Sequence, residues 1–278
     1  MRTTYLIMCM LALLSCLPSA AQGVADADKQ SVELLLASGD TTTLFYARKL
    51  LGVPYVAGTL EVNDDERLVV NLRQLDCTTL VETVCALTLC ARKGLRDYQS
   101  FCRFLCRLRY RQGRLDGYPS RLHYFSDWID DNVEMGLVSV VASEQLPFTA
   151  LQTLGINYMS THPDSYKALR QHPALVKEIQ AQEKRLTGRK YRYIPKGQVG
   201  DVEALKAVIR DGDILAITCS KPGLDIAHLG FAVWRADGLH LLNASQLHKK
   251  VVEEPMTLVE YLGKHPSHTG IRVVRLLP

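Results

Sequence analysis

The sequence predicts an α+β fold in which one long core helix, opened by a cysteine, packs on an antiparallel sheet drawn largely from the C-terminal third. Three observations predict it. After Cys77 the apolar residues Leu80, Val81, Val84, Leu87 and Leu89 recur at three- and four-residue spacing up to Gly94, as a helix with a core face requires. Strand-like runs stand at 213–219, 228–234, 239–244 and 270–277, two of them joined by the turn residues Ala236-Asp237-Gly238. Between these parts, residues 95–199 are longer than any connection needs and read as a large, mostly helical or irregular insertion.

Taken in order, the chain opens with Arg2, an apolar run from Tyr5 to Leu17 and the small residues Ser19-Ala20-Ala21. That is the pattern of a secretory signal, residues 1–21, and it is too short for a comfortable membrane span. Leu13-Leu14-Ser15-Cys16 partly matches a lipoprotein box, so a lipid anchor through Cys16 is the weaker alternative. An amphipathic helix is expected over 31–51, a Gly/Pro loop or short strand over 51–61 and a short strand over 67–75, centred on 68–72. The Cys77 helix follows to about Arg92, then a second helix over 97–109. Within the insertion the sequence predicts a helix from Pro173 to Leu186. Residues 22–278 are expected to form a single catalytic domain, its core about 31–94 and 200–278.

Composition is that of ordinary globular material, 47% apolar and 22% charged. The formal charge of +4 falls to about +3 once Arg2 leaves with the leader, which suits an anionic polymer. No basic stripe with interleaved aromatics points to nucleic acid. Cys77, Cys85, Cys90, Cys102, Cys106 and Cys219 remain after the leader. Four of them sit in helical contexts and read as small core residues rather than disulfide staples. No second pair at matching spacing completes a metal site, so neither metal nor cofactor is expected.

The chemistry is carried by three residues. Asp76 is a reasonable N-cap, and the helix end beyond it favours a thiolate on Cys77. His228 opens a strand, and if the following loop centres between Ala236 and Asp237, residue 228 lies opposite 245. Asn243 then becomes its diagonal neighbour on the same face. A thiol, an imidazole that takes its proton and a carboxamide that orients the ring make a nucleophilic couple, with the Cys77 N–H as oxyanion donor. Singly, each has a structural alternative: a buried cysteine, a half-buried histidine, a strand-end Asn.

The order Leu51-Gly52-Val53-Pro54-Tyr55, Leu75-Asp76-Cys77, Gly212-Asp213-Ile214-Leu215, His228-Leu229-Gly230 and Asn243-Ala244-Ser245 resembles the NlpC/P60 papain-like cell-wall hydrolases. More closely, His123-Tyr124-Phe125-Ser126-Asp127-Trp128, the stretch Asn157 to Tyr166 and Tyr193-Ile194-Pro195-Lys196 resemble the DUF1460 or N-acetylmuramoyl-L-alanine amidase-like subgroup, over nearly all of 31–278. The third polar residue, often His in that superfamily, is Asn243 here. The resemblance implies a papain-like core, an exported or envelope-located enzyme and a peptidoglycan or muropeptide substrate. It implies cleavage at the N-acetylmuramoyl-L-alanine amide, with γ-D-glutamyl-diamino acid endopeptidase activity, acyl transfer or a non-catalytic envelope-binding module as alternatives. It further places Tyr55 and Asp76 beside the nucleophile and offers Tyr124, Ser126, Asp127, Trp128, Ser160, His162 and Tyr166 as substrate contacts. A monomer is expected.

Overall fold

A computed structural model describes residues 19–278, with side chains from Asp26 onward. The expected leader, apart from Ser19–Ala21, and the Cys16 alternative lie outside the described residues. The chain opens with α1 (Ser19–Ala37) and α2 (Thr43–Lys49), where one helix over 31–51 was expected. The break is local chemistry: Gly39 turns at φ 77°, and Asp40 Oδ1 accepts from both the Thr42 N–H and its hydroxyl. Residues 68–72 are not a strand. Their backbone is taken by side chains, since the Leu72 N–H donates to Asp28 and Arg109 donates to the Val69 carbonyl.

The helix α3 (Cys77–Arg92) is buried from Thr79 to Ala91 on every side, which its narrow polar content permits. Asp76 and Thr79 close a capping box at its start. Next come α4 (Tyr98–Arg109) and α5 (Phe125–Glu134). Arg109 of α4 meets Glu82 of α3 in a fully buried ion pair at 2.6 Å.

The middle segment then departs from expectation, because it builds sheet as well as helix. It contains β1 (Val138–Val141), β2 (Ala150–Thr153), the short helices α6 (Tyr158–Thr161) and α7 (Lys167–Gln171), then α8 (Leu175–Leu186) and β3 (Lys190–Pro195). After α9 (Val202–Val208) come β4 (Ile214–Cys219), β5 (Ile226–Arg235), β6 (Gly238–Ser245) and β7 (Lys250–Glu253), then α10 (Leu258–Gly263) and β8 (His268–Leu276). The pairs are antiparallel, in the order β2-β3-β8-β4-β5-β6-β7, with β1 joining β8 as well.

The strand period of two sorts side chains onto two faces. Ile214, Ala216, Phe231, Val233, Leu242 and Ala244 pack into the cluster that holds α3. Leu215, Ile217, Ala232, Leu239, Leu241 and Ile271 join Leu205 of α9 and Leu258 and Leu262 of α10 on the other. The sheet is therefore covered on both sides, and β4 is buried along its whole length. Among the described residues no helix is long and apolar enough to cross a membrane.

Candidate active site

The start of β5 decides the geometry. Ile217 of β4 pairs with His228 but Thr218 pairs with Ile226, so Ala227 is an extra residue in the ladder. Such a bulge twists a strand and re-aims the side chain beside it. On the other edge, β5 pairs with β6 from Arg235–Gly238 to Phe231–Leu242, the register expected from a turn at Ala236-Asp237. Gly230 lies so close to β6 that an added Cβ would stand 2.6 Å from the Leu242 carbonyl oxygen.

In this frame His228 Nε2 lies 3.0 Å from Asn243 Oδ1. Asn243 is fully buried, and its Nδ2 donates to the Leu241 carbonyl at 3.4 Å, which sets the orientation of the amide. Oδ1 is therefore the acceptor, Nε2 carries the proton, and Nδ1 of His228 is left as the basic nitrogen.

Cys77, at the first position of α3, lines the same cavity of about 180 Å³ as His228. Leu229, the residue after the histidine, lines the same cavity. The surroundings of Cys77 act against the thiolate that a helix start favours. Burial, and then the nearby Asp76, push the Cys77 thiol up to about 12, against the Leu229 N–H and the Thr78 hydroxyl. Burial also holds His228 below its ordinary value, partly offset by Asn243. Both shifts favour the uncharged forms of the thiol and the imidazole.

The other anticipated residues divide. Tyr124 and Tyr166 line the Cys77 cavity. Tyr124 does so with its ring, because its hydroxyl donates to Glu183 and accepts the Met159 N–H. The phenol of half-buried Tyr55 is raised by burial, then by Cys77 and Asp76. Asp76 spends its carboxylate on the cap, accepting from the Thr79 N–H at 2.8 Å.

Ser126, Asp127, Trp128, Ser160 and His162 stand away from the cavity. Ser126 is fully buried and accepts from Arg272, while Asp127 is held by Arg111. Trp128 is fully buried and stacks on Phe125. Ser160 uses its backbone N–H on Glu183 and its hydroxyl on Asn157, and exposed His162 stacks on Tyr158. Trp128 and Ser126 thus brace the wall from behind.

The wall facing Cys77 holds residues that sequence reasoning missed as contacts: Thr78, His123, Phe125 and Met159. Burial depresses the His123 imidazole to about 3. A signal for it was present, since it begins the His123-Tyr124-Phe125 motif. Tyr261, His265 and His268, on the far side of His228, carried no periodic signal. A larger cavity of about 550 Å³, lined by Glu61, Asp64, Asp65, Glu66, Asp116 and Glu178, contains neither Cys77 nor His228. The six cysteines of the described residues are free.

The N-acetylmuramoyl-L-alanine amidase-like family matches residues 46–271. A Bacteroides uniformis N-acetylmuramoyl-L-alanine amidase is 41% identical, with 86% of this chain and 100% of that chain covered and a TM-score of 0.81. A Bacteroides fragilis protein that bears the name of a xylanase is 43% identical over 83% of this chain and 99% of that chain, TM-score 0.78. The fold is shared with a Legionella pneumophila protein of family DUF1460, 24% identical over 92% of this chain and 97% of that chain, TM-score 0.71. No curated protein matches.

Proposed function

Because the chain belongs to the N-acetylmuramoyl-L-alanine amidase-like family, we propose that it is an envelope enzyme that hydrolyses peptidoglycan or its fragments at the N-acetylmuramoyl-L-alanine amide, with Cys77 as nucleophile. The observation that carries this reading is the 3.0 Å contact of His228 Nε2 with Asn243 Oδ1, with Cys77 and His228 lining one cavity. In the proposed mechanism His228 Nδ1 takes the thiol proton as sulfur attacks the amide carbon. The oxyanion is met by the Cys77 N–H, which the first position of a helix leaves without an intrahelical partner, and by the Tyr55 phenol. His228 returns the proton to the departing amine, leaving a thioester. Water, deprotonated by the same imidazole, then releases the acid. We assign the core, on its cysteine at a helix start and histidine on the sheet, to the NlpC/P60 papain-like hydrolases, and with it the export implied by the leader.

The aromatic wall of Tyr124, Phe125 and Tyr166 favours the sugar amide over the γ-D-glutamyl bond, because ring faces suit a pyranose. A xylanase would need a carboxylic acid and a second carboxylate flanking its bond. Beside this cavity Asp225 is buried on the Ser126 N–H and Asp76 is committed to its cap. Digestion of a defined disaccharide-peptide tests the proposal: free disaccharide and free peptide are expected by mass spectrometry, and none with Cys77→Ala. Cleavage inside the peptide, release of xylose from xylan, or an active Cys77→Ala would overturn it.

A further inference from the structure

A second cavity, of about 510 Å³, lies on the other flank of His228, and Leu224, Ile226, Ala227 and His228 are common to both. The two differ in charge. Among the described residues around the Cys77 cavity, the only titratable bases are His228 itself and His123, whose imidazole burial keeps neutral, and Asp225 adds a carboxylate. The second cavity is lined by the exposed residues Lys221 and Lys249, by Ser245 and Ser267, and by His265 and His268. Among the described residues neither ammonium belongs to an ion pair.

The imidazoles are held rather than free. Their rings stack 4.5 Å apart, and His265 Nδ1 donates to the Tyr261 carbonyl at 2.7 Å. His268 is only 8% exposed, and its Nδ1 is buried without a partner. Such an orphan in a native interior calls for a ligand or a water. Lys249 adds an independent sign. It sits at φ 58°, the left-handed region where glycine or asparagine is the cheap choice. Its carbonyl accepts from the Tyr55 N–H at 2.9 Å, which ties this strained turn to the nucleophile side of the trough. Strain of this kind, kept in a residue with a long cationic side chain, clusters at binding sites.

We propose that this second cavity is the leaving-group site and that it binds a free carboxylate on the peptide that departs with the amine. The inference rests on the amidase reading above and deepens it. In an amide between a sugar acid and a peptide, only the peptide side retains carboxylates. An anion placed in the Cys77 cavity would be desolvated beside Asp225 with no cation to meet it. Placed in the second cavity, it is within the lining that includes Lys221 and Lys249, whose long side chains can bring ammonium groups to it, and Ser245 and Ser267. His228 faces both spaces, which puts the proton donor between the acyl carbon and the amine it must protonate.

The test uses N-acetylmuramoyl-L-alanyl-D-glutamate and the same compound with both carboxylates converted to carboxamides. The wild-type protein is expected to turn over the acid with kcat/KM about tenfold above the carboxamide, expressed in KM. Lys221→Met combined with Lys249→Gly should erase most of that preference, bringing kcat/KM on the acid down towards its value on the carboxamide. The glycine fits the left-handed backbone, so a retained melting temperature certifies the fold. Equal kcat/KM on the two substrates, or a preference that survives the double variant, overturns the inference while leaving a Cys77-dependent amidase intact. A wild-type protein that cleaves neither compound removes the amidase reading and the inference with it.

Discussion

Replacing Asn243 by alanine tests how the base is held. The Asn243 side chain is fully buried and offers His228 a single acceptor at 3.0 Å. With His228 neutral, that bond contributes about 1 kcal/mol; once the ring gains the thiol proton it becomes charge-assisted and contributes about 1.5–3 kcal/mol. The difference, about 0.5–2 kcal/mol, is lost only as charge develops, so it appears in kcat. Without the acceptor the imidazole also populates the Nδ1–H tautomer, in which the nitrogen facing the sulfur cannot accept a proton. Together these should lower kcat about 10- to 100-fold, since each ~1.4 kcal/mol is a factor of ten. KM should hold within about twofold, because Asn243 is buried and lines neither cavity. Steady-state assays on the muramoyl dipeptide, with a thermal melt to confirm folding, supply the readout. A folded variant that loses less than threefold in kcat, or loses only in KM, would refute the role given to this contact.

Burial holds His228 below its ordinary 6.5, so the acid limb of kcat/KM should fall below pH 6.5, and a limb above it would contradict a desolvated base. The same logic governs stability at His268, which burial depresses to about 4 from 6.5. Its folded pKa is lowered, so the unfolded chain binds the proton first. The contribution is present above pH 6.5 and fades as pH falls towards 4. At pH 5 about 2 kcal/mol has gone, and His268→Gln should flatten that part of the urea-midpoint profile relative to wild type. An added Cβ at Gly270 would stand 2.1 Å from the Ile194 carbonyl oxygen and 2.8 Å from Tyr193 Cδ2. Gly270→Ala should therefore detach β3 from β8 and cost about 3 kcal/mol or more, read by chemical denaturation; an unchanged midpoint would deny that close approach.

How much of this was legible turns on which signal each residue carries. The helix over 77–92 was readable because its apolar period is long, and its cap, Asp76 with Thr79, is written in adjacent residues. The β5–β6 register was readable because a two-residue turn leaves little freedom. By contrast β1, β2 and β7 have four residues each and half-exposed faces, too short for a period to emerge. They exist because β8 and its neighbours offer edges to pair with, which is a tertiary fact. The extended run at 68–72 had the opposite fate, its backbone claimed by Asp28 and Arg109 from distant helices. Trp128 and Ser126 stood in a distinctive motif, yet they brace a wall whose inner surface is His123, Phe125 and Met159. A motif marks where a segment matters without saying which face of it does.

The departure with the most consequence concerns charge. A helix start alone argues for a thiolate, but one helix terminus cannot offset the desolvation that surrounds Cys77, and Asp76 pushes the same way. The burial that raises the thiol also lowers His228, so moving the proton before bond formation would leave an ion pair in a poorly solvated trough. The cost falls if sulfur attacks as its proton leaves, because the negative charge then passes to the carbonyl oxygen beside the Cys77 N–H. On the proposed mechanism, substrate binding is what makes the sulfur nucleophilic. A neutral thiol is also the form least prone to oxidation, which on the proposed mechanism would protect the sulfur between turnovers. The geometry that delays ionisation therefore serves both turnover and survival of the nucleophile.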